Sequence, residues 1–205
     1  MSIVTYNNRS IANISAIPGA AKSLTHIKTL TASSSSNLSF VDGSSDVVLD
    51  STYPIYIFKL INLHIASDAT LLRIFGSTDS GSNYNASMTT AYYYAGHVED
   101  ASASFLAIEN RGGGNATNGI YFTDTLGADN DQSLSGTITL FNPSSTTFVK
   151  HYMTEINNSG HLDQSNHVFT GGYMNTTSAI DAIKIQADTG NIDSGTIKLY
   201  GLKDS

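Results

Sequence analysis

Tyr53-Pro54-Ile55-Tyr56-Ile57-Phe58-Lys59-Leu60-Ile61-Asn62-Leu63-His64-Ile65 is the strongest apolar stretch of the chain. In an extended strand Tyr56, Phe58 and Leu60 face one way, while Ile55, Ile57 and Ile61 supply a second apolar face, the pattern of a strand buried on both sides. Periodicity alone leaves a buried helix open here. Composition makes helix the minority state for the chain as a whole. Ser, Thr and Asn number 28, 22 and 17 of 205 residues, and only 13% are charged, so surface polarity comes from hydroxyls and amides. Thr suits strands and Ser, Asn, Asp and Gly suit the turns between them, whereas long helical surfaces normally need many Glu, Lys and Arg.

Working outward, Ser67-Asp68 turns the chain into Thr70-Leu71-Leu72-Arg73-Ile74-Phe75, which reads as the paired return strand, and Ser77 to Asn85 is a turn cluster. Toward the N-terminus, Leu24 to Ala32 reads as a strand. Ser33 to Ser36 separates it from Asn37-Leu38-Ser39-Phe40-Val41, and the two are expected to form a hairpin. Met1 to Ala21 ends in the turn signal Ile17-Pro18-Gly19-Ala20 and is expected to be an extended N-terminal arm or edge strand, leaving residues 22–205 as a single β-sandwich domain.

Toward the C-terminus, Tyr92-Tyr93-Tyr94 and Phe105 to Ile108 are strand candidates, split from Ile120-Tyr121-Phe122 by the loop Arg111-Gly112-Gly113-Gly114-Asn115. Gly136 to Phe141, Phe148 to Ile156, Val168 to Met174, Ala179 to Ala187 and Gly195 to Leu202 follow, each bounded by Gly, Asn, Asp or Ser. Short strands at turn-spaced intervals indicate a sandwich or jelly roll. One internal echo, Ser135 to Phe141 (SGTITLF) against Ser194 to Tyr200 (SGTIKLY), marks equivalent strands of one sandwich, since two copies are too few for a solenoid.

Ten Lys and Arg against 17 Asp and Glu give a net charge of −7, which argues against nucleic acid as a partner because no cation excess is available to displace counterions. The chain has no cysteine, which excludes disulfides and thiolate metal sites. Met1 to Ser10 lacks the pattern of a secretory signal, and nowhere do about 18 apolar residues run together, so a soluble, unprocessed protein with no membrane partner is expected.

Candidate chemistry is sparse. Asp79-Ser80-Gly81 and Asp188-Thr189-Gly190 are the triplets that, in an aspartic protease, bring two carboxylates together to share one proton. Asp-x-Gly is equally what a β-turn asks for, and the turn is the preferred reading. His26, His64, His97, His151, His161 and His167 show no zinc spacing, and Asp129-Asn130-Asp131 lacks the glycine and glutamate of a calcium loop. Gly112-Gly113-Gly114 lacks the Lys-Ser/Thr of a phosphate cradle. Tyr92-Tyr93-Tyr94 offers an aromatic binding surface, or else a strand with Tyr93 on one face and its neighbours on the other. No catalytic, cofactor-binding or metal-binding residue is assigned.

Leu140-Phe141-Asn142-Pro143-Ser144-Ser145-Thr146-Thr147-Phe148-Val149-Lys150-His151, Gly172 to Ile183, and above all Gly190-Asn191-Ile192-Asp193-Ser194-Gly195-Thr196-Ile197-Lys198-Leu199-Tyr200-Gly201 resemble the C-terminal signature of tailed-bacteriophage virion structural proteins common in marine phages. Phe58 to Asn62 and Ser77 to Tyr84 are similar to that family as well. The resemblance implies an eight-stranded, jelly-roll-like β-sandwich, usually a homo-oligomer, a trimer being plausible, located in the virion after assembly in the bacterial host cytoplasm. It carries over no catalytic residues and no cofactor. The expected role is a capsid decoration or cement protein docking on the major capsid protein, with Met1 to Pro18 as its arm. The alternatives are a tail or fibre component presenting Tyr92 to Tyr94 and the 112–118 loop to a host receptor, and a hydrolase using Asp79 and Asp188. Within the signature, Gly190-Asn191 and Ser194-Gly195 are expected to form two turns, with Ile197 and Leu199 on one face of a terminal strand.

Overall fold

The computed structural model describes residues 24–109, 111 and 113–203; the expected arm, Met1 to Ala21, lies outside them. Twelve strands and no helix are found among the described residues: β1 (Leu24–Thr31), β2 (Leu38–Val41), β3 (Ile55–Ile65), β4 (Leu72–Ser77), β5 (Met88–Val98), β6 (Ser104–Ile108), β7 (Ile120–Tyr121), β8 (Leu134–Phe141), β9 (Lys150–Gly160), β10 (Gln164–Met174), β11 (Ala182–Ala187) and β12 (Ile192–Leu202). They form an eight-stranded sheet, β1-β12-β3-β8-β9-β10-β5-β6, and a four-stranded sheet, β2-β11-β4-β7, antiparallel throughout.

Eight of these strands follow a simple rule. Setting β5, β6, β9 and β10 aside, the first strand pairs with the last (β1 with β12), the second with the seventh (β2 with β11), the third with the sixth (β3 with β8) and the fourth with the fifth (β4 with β7). An antiparallel ribbon folded back on itself in this way is a jelly roll. The two remaining hairpins, β5–β6 and β9–β10, add four strands beyond β8 and widen one sheet only.

The pairing corrects two sequence expectations. Leu24 to Ala32 and Asn37 to Val41 are both strands, but they do not form a hairpin, because β1 joins β12 in the large sheet while β2 joins β11 in the small one. Ser33 to Ser36 is the crossover between layers. Likewise β4 is no return strand for β3; it lies in the opposite sheet between β11 and β7.

The core fills the gap between sheets. Phe58, Leu60, Ile138, Leu140, Ile197 and Leu199 of the large sheet meet Leu38, Phe40, Leu72, Ile74, Ile183 and Ile185 of the small one, all buried. Phe40 and Phe58 pack edge to face, 5.2 Å between ring centres. Tyr56, Phe58 and Leu60 are the buried face of β3, as its alternation requires. Its other face is not buried: Lys59 and Ile61 are exposed and Ile55 and Ile57 half-covered, so β3 is buried on one side only.

β3 also contains a kink that its neighbours are built to receive. Asn62 has φ +47°, and the registers with β8 and β12 both shift beside it. The Asn62 N–H donates to Ser135 Oγ at 3.0 Å, while Gly195, at φ +100°, lies so close that a Cβ there would stand 2.3 Å from the Asn62 carbonyl oxygen. Ser194-Gly195 is therefore a bulge inside β12 and not the expected turn. The kink resets the alternation so that Leu63 and Ile65 point inward. It explains the sequence echo: Ser135 to Phe141 and Ser194 to Tyr200 lie in the two strands that flank β3, each presenting a Ser-Gly beside its bend.

Candidate interaction surface

The two sheets differ in width, so the added strands need another cover for their inner face. Glu109, Arg111 and residues 113–133 supply it. Tyr92 is buried and donates from its hydroxyl to the Thr123 carbonyl at 3.2 Å, and Tyr94 donates to Glu109 at 3.0 Å. Arg111 pairs with Glu109 and lies 2.6 Å from buried Asp124, with its guanidinium beside the Tyr92 and Tyr94 rings. Burial opposes the Arg111 charge, but Glu109 and Asp124 outweigh it and hold its pKa up; burial pushes the Asp124 carboxyl up against the pull of Arg111. Burial raises the Tyr94 phenol to about 12. This knot fixes the loop over β5.

With the inner face closed, the outer face of the large sheet is the open one. Across the strands, Lys59, Thr137, Glu155, Phe169, Tyr93 and Ile108 stand side by side. The row begins polar, with Lys59 donating to Thr137 Oγ1 at 2.7 Å, and ends apolar. Tyr93 stacks on Phe169 with 5.2 Å between ring centres and 14° between planes. Next to this row stand Leu106 and Met153. Exposure is 45% for Tyr93, 60% for Met153, 77% for Leu106 and 88% for Ile108. At the end of the same face a 500 Å³ groove is lined by Phe141, Asn142, Ser145, Phe148, His151 and Thr177, among others, with Phe148 largely exposed. Its wall is held by Lys150, which is buried and donates to the Phe148 and Thr176 carbonyls at 3.0 and 3.1 Å; burial pulls the pKa of this ammonium down. Large apolar side chains grouped on one face mark surfaces that meet another molecule.

The residues with candidate chemistry are not brought together. Asp79 lies beyond the end of β4 at Ser77, and Asp188 beyond its start, where its N–H donates to the Leu71 carbonyl. About 17 Å of strand separates the two ends. Asp79 accepts from the Asn83 backbone and side chain at 2.8 and 2.7 Å and from Ser77 Oγ, bonds that hold its carboxyl below the usual range. Asp188 is paired with Arg73 Nε at 2.6 Å and accepts from the Tyr121 hydroxyl at 2.6 Å. Gly81 and Gly190 both have positive φ, as the turn reading of Asp-x-Gly requires.

The histidines are dispersed. His26 bonds Thr29, His64 bonds the Asp129 carbonyl, His97 bonds the Val98 carbonyl, and His167 lies 3.4 Å from Glu155. His151 packs its ring edge against Tyr173. No group of three or more potential metal ligands occurs among the described residues. Asp129-Asn130-Asp131 is a turn, closed by the Gln132 N–H on the Asp129 carbonyl. The triple tyrosine is split by the pleat: Tyr92 and Tyr94 turn inward and Tyr93 outward.

Sequence reasoning did not single out Arg111, Leu106, Ile108, Phe148 or Met153. A signal existed for two of them: Phe105-Leu106-Ala107-Ile108 has no polar residue at any position, so whichever way the strand faces, apolar side chains are left outside. Comparison of the chain with family models, curated proteins and solved structures gave no match.

Proposed function

We propose that the protein is a non-enzymatic structural component of a phage virion, a capsid decoration or cement protein that binds the major capsid protein through the outer face of its large sheet. The observation that carries the reading is that face, where Tyr93, Leu106, Ile108, Met153 and Phe148 are exposed together. An interface core is typically apolar and aromatic and depleted of charge, which is the character of this surface at its β6 end. Two further points support the reading: the C-terminal segment resembles virion proteins, and the jelly roll is a fold common in viral shells, although the fold alone carries no function.

The test is antibody labelling of purified, unfixed virions, viewed by electron microscopy after free protein has been removed on a density gradient. Label over the head is the expected result. Label confined to the tail replaces decoration with the tail or fibre reading, in which the Tyr93–Phe169 stack faces the host. Absence of label from intact particles overturns the virion reading.

A further inference from the structure

Among the described residues the two sheets have four edge strands, and three carry a feature that discourages pairing with another chain. β1 has Lys28 and a bulge between His26 and Lys28, β2 is four residues long and β7 two. β6 has none of these. Ser104-Phe105-Leu106-Ala107-Ile108 carries no charge and no proline, and its register with β5 is unbroken.

The hydrogen bonds at its ends decide which backbone groups are free. The Val98 N–H donates to the Ala103 carbonyl and the Glu109 N–H to the Tyr92 carbonyl, so residues 103, 105, 107 and 109 turn their backbone groups to β5. Ser104, Leu106 and Ile108 therefore direct N–H and C=O outward, away from the sheet. These residues also place their side chains on the open outer face, where Leu106 and Ile108 are the most exposed large apolar groups.

We propose that β6 pairs with β6 of a second copy of this chain, antiparallel, about a two-fold axis at Leu106. The strand is self-complementary in that register. Leu106 faces Leu106, Ser104 faces Ile108, and every outward N–H and C=O of the three residues gains a partner. Glu109 falls opposite Ala103, so no like charges meet. Leu106 and Ile108 of both copies then form one apolar cluster, flanked on each side by Tyr93 and Phe169, and the two large sheets become continuous across the axis. A strand from an unrelated partner would satisfy the backbone equally, but only a second copy makes both unprotected edges disappear at once.

The chain has no cysteine, so any disulfide in a single-cysteine variant is intermolecular. Opposed residues of a hydrogen-bonded antiparallel pair stand about 5.5 Å apart at Cα, within disulfide range. Leu106→Cys is expected to give a covalent dimer under mild oxidation at least ~10-fold faster than Leu162→Cys, a position at the β9–β10 turn that is also largely exposed, 62% against 77%. In sedimentation at about 0.1 mM the unmodified chain is expected to contain this dimer, and Leu106→Pro to abolish it with an unchanged circular dichroism spectrum. Proline there removes an outward N–H and the exposed leucine side chain, both directed away from β5, and leaves the β5–β6 ladder intact. Should Leu106→Pro fail to fold, Leu106→Lys serves, since its ammonium would oppose its own copy. A monomeric chain at that concentration, an oligomer indifferent to both substitutions, or equal cross-linking at positions 106 and 162 would overturn the proposal.

Discussion

Leu199 shows how much a single position of the C-terminal segment carries. It is fully buried, opposite Phe58 in the register of β12 with β3. Leu199→Asp would bury a charge without a partner and is expected to cost more than about 4 kcal/mol, enough to prevent folding, which a thermal melt of the purified variant would reveal. Buried phenols set a second property. Burial raises Tyr152 to about 12 and also lifts Tyr56 and Tyr92, so between pH 10 and their folded values the native state holds protons that the unfolded chain releases. Their contribution is complete below pH 10 and is lost as pH rises through the folded values. Unfolding followed by circular dichroism is expected to coincide with phenolate absorbance above pH 10, and Tyr152→Phe to move it upward. At this scale the sequence was readable as alternation: a period of two separates Tyr93 from Tyr92 and Tyr94, while which of them turns inward is set by the sheet they join. Arg111 was not readable, because its partners Glu109 and Asp124 meet only when the loop closes over β5.

The strands were legible as elements because Gly, Asn, Asp and Ser bound nearly every one, but their partners were not. Only β5–β6, β8–β9 and β9–β10 join strands consecutive in the chain; the rest pair across long separations, and a hairpin is the local default that the β1–β2 expectation followed. The bulge in β12 was hidden for a related reason: Ser194-Gly195 reads as a turn unless Asn62 is known to lie beside it. Gly195→Ala is expected to lower stability by at least roughly 1–3 kcal/mol from backbone strain alone, with the clash against Asn62 added. Gly171→Ala, in β10 with open space around it, is expected to change stability by less than about 0.5 kcal/mol. Urea midpoints of the two variants separate the cases. The open edge of β6 was out of reach of the sequence because an edge is a property of the assembled sheet.

For the whole molecule, the division of labour is between a jelly roll that closes on itself and a four-strand extension whose outer face stays open. Met153→Lys changes an exposed side chain in the middle of that face and is expected to leave the melting temperature within a degree or two while weakening binding to virions at least ~10-fold, read by co-sedimentation with particles. Equal binding would place the contact elsewhere on the protein. The first-with-last rule of the jelly roll has another effect. Leu24 and Leu202 are direct cross-strand partners, so the sandwich starts and finishes at one corner, about 5 Å apart. Strand order along the polypeptide is thereby separable from strand order in space. A circularly permuted gene that links that corner and opens the chain in the Gly113–Asn118 loop would begin with β7 and still encode the same two layers.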